Sequence, residues 1–285
     1  MSVRFSPDIP ISVREIGENF SARSLDLARD GEATSPVIVV DDFRVRGHVF
    51  GPHPHAGFSA VTYVFEDSPV GLRSRDSLGN DIIVRPGGIV WTQAARGAMH
   101  EEVPAHPGRE LHGLQVFVNL SARNKLAAPQ VLWLENSEVP EWRNDSGDRV
   151  RVAVGSFSHV SSPLVPAEPF NLLDVELRSE ISFVLADGWN ALFYALAGAV
   201  IICAGDTNRE IAAGRAVALS AAAGHIALTA VQPARLVILA GAALHEPVFV
   251  DGPFIMNDRQ QAKAAFARYR NGAMGRLAPL AMRER

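Results

Sequence analysis

Short runs of apolar residues, most broken at every second position and closed by Gly, Pro or Asn, set the pattern of this chain. VIVVDDFRV, SAVTYVFE, GIVWTQ and LHGLQVFVNL have strand length and are rich in β-branched and aromatic residues. The turns between them fall at Ser68-Pro69, Leu78-Gly79-Asn80 and Pro86-Gly87-Gly88. No helical periodicity intervenes to carry parallel crossovers, so the strands are expected to pair antiparallel, in a sandwich or barrel. From Ser121 to Asp148 the chain turns polar and holds Pro129 and Pro140, the composition of a domain boundary. A second β series follows, from VRVAVGSF to ARLVILAGAAL, and its GWNALFYALAGAVII repeats the layout of GFSAVTYVFEDSPVGL. The tail changes period. RQQAKAAFARYR predicts a helix capped by Asn257, with Gln260 three residues on, and ended by Asn271-Gly272. Ala262, Ala265, Phe266 and Tyr269 form its docking stripe.

Composition narrows the function classes. The chain has 285 residues, enough for one large or two medium domains, and a net charge of −4 with a pI near 6.1. Acids are interspersed with the Lys and Arg, so no direct nucleic-acid surface is expected. The single cysteine, Cys203, rules out a disulfide framework and a thiolate cluster, and its apolar surroundings predict a small buried hydrophobe. There is no signal-like start and no apolar run of about 18 residues, so a soluble, cytoplasmic protein without membrane contact is expected.

The candidate chemistry lies between Gly51 and Glu102. His53 and His55 flank Pro54, and His100 and Glu102 repeat the same one-apart spacing 45 positions after His55. Residues two apart on a strand share a face, so each pair aims both side chains at one point. If the two strands face each other across a barrel, three imidazoles and one carboxylate converge as ligands for a divalent transition metal. The competing reading is that histidines near turns are loop surface. His159 and His225 have no partner two residues away and are read as structural or surface residues. Phe58, Tyr63, Trp91 and Phe117 either line a slot for a planar substrate or fill the core as ordinary barrel aromatics.

HPHAGFSAVTYV, RDSLGN, RPGG, ARGAMHEE, LHGLQVFVNL and EPVFVDGPFIMN together resemble the pirin family, two-domain members of the cupin superfamily. The resemblance spans nearly the whole chain. It implies an all-β bicupin of two antiparallel cupin-type barrels with a short C-terminal helix. The expected limits are a metal-binding domain over 1–137 and a degenerate one over 138–285. Carried over by position, His53, His55, His100 and Glu102 look like the metal ligands, while Glu101 between them should point the other way. Many pirins have Arg at the position of Ala56, an acid at Ser59 and His at Ser74. None of these three belongs to the ligand set, so metal binding is expected to survive and substrate positioning is where a difference should appear.

The resemblance implies one divalent transition metal per chain, Fe(II) first, with Ni, Co, Mn or Cu also compatible with such ligands. It implies a quercetin 2,3-dioxygenase-type oxidoreductase that opens a small planar phenolic substrate with O2, with Glu102 as ligand and base. The alternative is a non-enzymatic, iron-dependent module that binds a protein partner according to the metal's redox state. Two barrels in one chain make a monomer sufficient.

Overall fold

A computed structural model describes residues 4–220 and 224–280. By its contacts the chain falls into two compact units built from alternating segments. One comprises Met1–Ser12, Arg23–Val40 and Ser137–His245, and the other Val13–Ala22, Asp41–Asn136 and Glu246–Arg285. The chain passes between them at Ser12/Val13, Ala22/Arg23, Val40/Asp41, Asn136/Ser137 and His245/Glu246. The termini are exchanged: the C-terminal helix belongs with the histidine-bearing segment.

The histidine-bearing unit is built on two antiparallel sheets. The larger runs Gln130–Leu134, Ile89–Gln93, Phe58–Val64, Glu110–Asn119, Val37–Arg46, Phe20–Leu25 and Ile11–Ile16. The smaller runs His53–His55, Ala98–Pro104, Leu72–Asp76 and Asp81–Val84. Neither ladder closes on itself among the described residues, so the expected barrel is an open one. Phe58–Val64 is buried at all seven positions, as a central strand covered on both faces should be. Val64, Leu72, Val84, Val90 and Leu111 pack with Phe43 and Val45 as the core.

In the other unit the long strands Trp189–Ala204 and Gly224–Ala242 pair along most of their length, within a nine-stranded sheet. Its core is aliphatic around Phe193 and Phe157. Asn190, buried there, donates through Nδ2 to the Glu32 and Ser35 carbonyls at 2.7 and 2.9 Å. Cys203 is half-buried rather than fully enclosed, because alternate positions of its strand are partly open.

The C-terminal helix spans Arg259–Arg270 as expected, but its cap is Asp258 and not Asn257. The Asp258 carboxylate accepts from the Gln261 N–H at 2.8 Å, while Gln261 Oε1 accepts from the Asn257 N–H at 3.3 Å. Ala262 and Ala265 are fully buried against Phe254 and Met256, Phe266 joins them, and Tyr269 stands exposed. No helix among the described residues is long and apolar enough to cross a membrane.

Candidate metal centre

The two ligand pairs do not face each other across a barrel. They lie on neighbouring strands of the smaller sheet, hydrogen-bonded in a register that sets His100 opposite His53 and Ala98 opposite His55. Directly paired residues of an antiparallel ladder share a face, about 5 Å apart. One face of two adjacent strands is therefore enough to gather all three rings.

His53 Nε2 lies 3.1 Å from Nε2 of His55 and 3.1 Å from Nε2 of His100. Among the described residues these three form the one group of His, Cys, Asp and Glu side chains placed to hold a metal ion. His53 Nδ1 sits 2.9 Å from the Gly51 carbonyl; by donating there it leaves Nε2 with a bare lone pair, the tautomer a metal requires. Burial lowers the pKa of all three. For His53 the Gly51 carbonyl and the Glu101 charge oppose that effect. His55 is pushed down to about 3 by burial and then by the nearby His53, against the Pro253 carbonyl. His100 is held well below the usual range by burial and by both neighbouring histidines. Three neutral imidazoles thus turn their Nε2 atoms toward one another inside the protein. A divalent cation satisfies all three lone pairs at once, so this donor set fits a transition metal.

Glu102 stands on the same face but its carboxylate is turned aside. The Thr62 hydroxyl donates to Oε2 at 2.6 Å and the Ser74 hydroxyl to Oε1 at 3.4 Å. Oε1 is 3.9 Å from His100 Nδ1, the nitrogen directed away from the His53 contact. Burial raises the Glu102 pKa to about 7, with the Thr62 and Ser74 hydrogen bonds opposing it. Gln115 Nε2 in turn donates to Thr62 Oγ1 at 3.3 Å, so a side-chain relay runs from Gln115 through Thr62 to Glu102. Glu101 points the other way, as parity requires, and contacts His48 Nε2 and Arg75 Nη1.

Of the four candidate aromatics, only two meet the site. Phe58 and Phe117 pack edge-on against His55, with ring centroids 4.9 and 5.5 Å away. Tyr63 is five positions from Phe58 and so lies on the opposite face of its strand, and Trp91 pairs with Val61 on that same far face. Ser59 also lies there, while Ala56 bridges Phe254. His159 and His225 are exposed and lie outside the cluster.

Two participants are not evident from the sequence pattern. Thr62 is 40 residues from Glu102 and meets it only because the two sheets face each other. Ser74 is paired directly with Glu102 across the ladder, at a position that the resemblance had already singled out.

The pirin family model matches residues 22–118, and the model of the pirin C-terminal cupin domain matches residues 172–275. A Pseudomonas aeruginosa protein, PA3240, whose quercetin 2,3-dioxygenase name is itself provisional, is 34% identical over 256 residues, 85% of this chain and 88% of its own length. The structure of a quercetin 2,3-dioxygenase from Acinetobacter baumannii matches with a TM-score of 0.83 at 23% identity, covering 98% of this chain and 100% of that one. Bacterial pirin YhhW from Escherichia coli, in complex with nickel(II), matches at 0.64 and 17% identity, over 85% of this chain and 100% of its own. These two structures bear on the fold, which is that of a bicupin. The family models and the P. aeruginosa relative carry the assignment: this chain belongs to the pirin family.

Proposed function

We propose that the chain is a metal-dependent dioxygenase of the quercetin 2,3-dioxygenase type, with His53, His55 and His100 holding one divalent ion, Fe(II) by preference, and the Glu102 carboxyl standing beside them. The observation that carries this reading is the trio of neutral imidazoles, two buried and one half-buried, whose Nε2 atoms converge beside the Glu102 carboxyl. A ligand set that only stapled the fold would have no use for such a carboxyl. The name borne by the P. aeruginosa relative points the same way.

A bound ion of this kind would supply Lewis acidity toward a phenolic or enolic hydroxyl and, if redox-active, electrons to dioxygen. The protein's own residues then do three things. Glu102 takes the hydroxyl proton of the flavonol, its proton affinity set by burial against the pull of the bound cation. Thr62 and Ser74 hold that carboxylate by one oxygen each, so that it receives the proton in a fixed orientation. Phe58 and Phe117 wall the His55 side with apolar rings that keep water off and offer a planar substrate edge contacts. The net change is insertion of both oxygens of O2 into the flavonol, with opening of its central ring and release of carbon monoxide.

The test is elemental analysis of anaerobically purified protein, followed by oxygen uptake with quercetin after Fe(II) or Ni(II) reconstitution. About one metal per chain with quercetin-dependent oxygen consumption is expected. One metal without turnover on any flavonol would refute the enzyme reading and leave a redox-responsive module that binds a protein partner.

A further inference from the structure

Lys125 is fully buried, 0% exposed, in a stretch whose composition reads as surface. Its ammonium donates to the Gly57 carbonyl at 2.8 Å, to the Ile255 carbonyl at 2.9 Å and to Asn119 Oδ1. An ammonium has three protons, and here each has an acceptor. Two of those acceptors are backbone atoms of segments that meet beside the histidines. Gly57 is two residues beyond His55, and Ile255 belongs to the C-terminal segment that docks on that turn. The Ile255 N–H donates to the Ala56 carbonyl at 2.9 Å, and Ala56 bridges Phe254.

The approach is close enough to exclude a side chain. A Cβ on Gly57, whose φ is +88°, would stand 1.9 Å from the Ile255 carbonyl oxygen. The same segment presents the Pro253 carbonyl to His55, where it acts on the ring's proton affinity. Glu246 adds a second tie, accepting from the Ala122 N–H at 2.6 Å and from Asn257 Nδ2 at 2.9 Å. Bringing two carbonyl oxygens and an amide oxygen together is electrostatically unfavourable unless a cation stands among them, and Lys125 is that cation.

We propose that Lys125 is a positioning residue of the metal centre: by clamping the Ala56-Gly57 turn to the C-terminal segment it sets where the His55 ring stands. The proposal rests on the metal-centre reading above and adds a residue that never touches the ion. Groups that orient a metal ligand typically change affinity by about tenfold to a hundredfold when removed. An effect of that size is expected when the clamp is lost.

The experiment uses full-length protein and the metals alone: calorimetric titration with Ni2+ and the visible spectrum of the Co2+ form. Lys125→Met keeps the apolar stem and deletes the three donors. It should weaken Ni2+ binding by about tenfold to a hundredfold and alter the Co2+ ligand-field bands. Asn119→Ala removes one acceptor only, folds more easily, and should weaken binding by about threefold or more. Asp148→Ala is the control. It strips a buried carboxylate that accepts from the Arg178 and Ser179 amides in the other unit, and it should leave Ni2+ affinity and the Co2+ spectrum unchanged. Wild-type affinity and spectrum in both Lys125→Met and Asn119→Ala would overturn the proposal, as would an equal loss in Asp148→Ala. If Lys125→Met fails to fold, unchanged binding in Asn119→Ala overturns it. A wild-type chain that takes up neither ion refutes the metal centre itself, a different failure visible before any variant is compared.

Discussion

Replacing Glu102 by Gln in the metal-free protein should reshape stability against pH in a way that isolates one carboxyl. Lifting a carboxyl from 4.5 to about 7 corresponds to about 3 kcal/mol. A raised pKa means that the folded state holds a proton the unfolded state has released. The stability tied to Glu102 is therefore complete below about 4.5 and lost as pH climbs to about 7. The histidines act oppositely. His55, pushed down to about 3 from 6.5, costs stability as pH falls through that window, and His53 and His100 share its direction. In wild type the two trends overlap and mask each other. Glu102→Gln keeps the shape, keeps an oxygen for Thr62 and removes the titration, so the difference between variant and wild type reports Glu102 alone. Urea unfolding in EDTA at pH 5 and pH 8 should show the variant gaining about 2 to 3 kcal/mol relative to wild type at the higher pH. A difference that stays flat across that range would refute the assignment of Glu102 as a buried, destabilised carboxylate.

Further substitutions test other parts of the molecule. His100→Ala should reduce metal content to background while circular dichroism stays native, whereas His225→Ala, an exposed strand position, should change neither. Gly57→Ala combines a left-handed backbone with a Cβ driven into the Ile255 carbonyl, and a loss of about 3 kcal/mol or more is expected in thermal or urea unfolding. Asp258→Ala deletes the helix cap seen in the hydrogen bond to Gln261 and should cost about 1 kcal/mol, measured the same way, without loss of metal.

Strand parity explains what was legible in the chain and what was not. The shared face of His53 and His55, that of His100 with Glu102, and the outward turn of Glu101 follow from period two alone, so they are legible in the amino-acid sequence. Parity also separates two of the aromatics: Phe58 and Tyr63 differ by an odd number, so they cannot line one slot together. Facing partners are another matter. Thr62 meets Glu102, and Gln115 meets Thr62, only through the stacking of one sheet on another and the pairing of Gln115 with Thr62 across strands. Lys125 defeats composition altogether, since a lysine between Asn124 and Leu126 in a polar stretch reads as solvated until its three acceptors are seen. The cap stands one residue later than expected, at Asp258, whose carboxylate accepts from the Gln261 N–H, while the Asn257 side chain is turned to donate to Glu246.

The return of Glu246–Arg285 to the histidine-bearing unit has a consequence for how the protein is made. All three histidines are translated within the first 100 residues, but the strand Phe254–Met256 that closes on the Ala56-Gly57 turn is translated about 150 residues later. Until then the Lys125 ammonium has no Ile255 carbonyl to hold, and the turn after His55 stands without its cover. A nascent chain therefore carries the histidines long before it carries a finished centre. A product that stops before Phe254 carries every imidazole but lacks the segment that covers the Ala56-Gly57 turn.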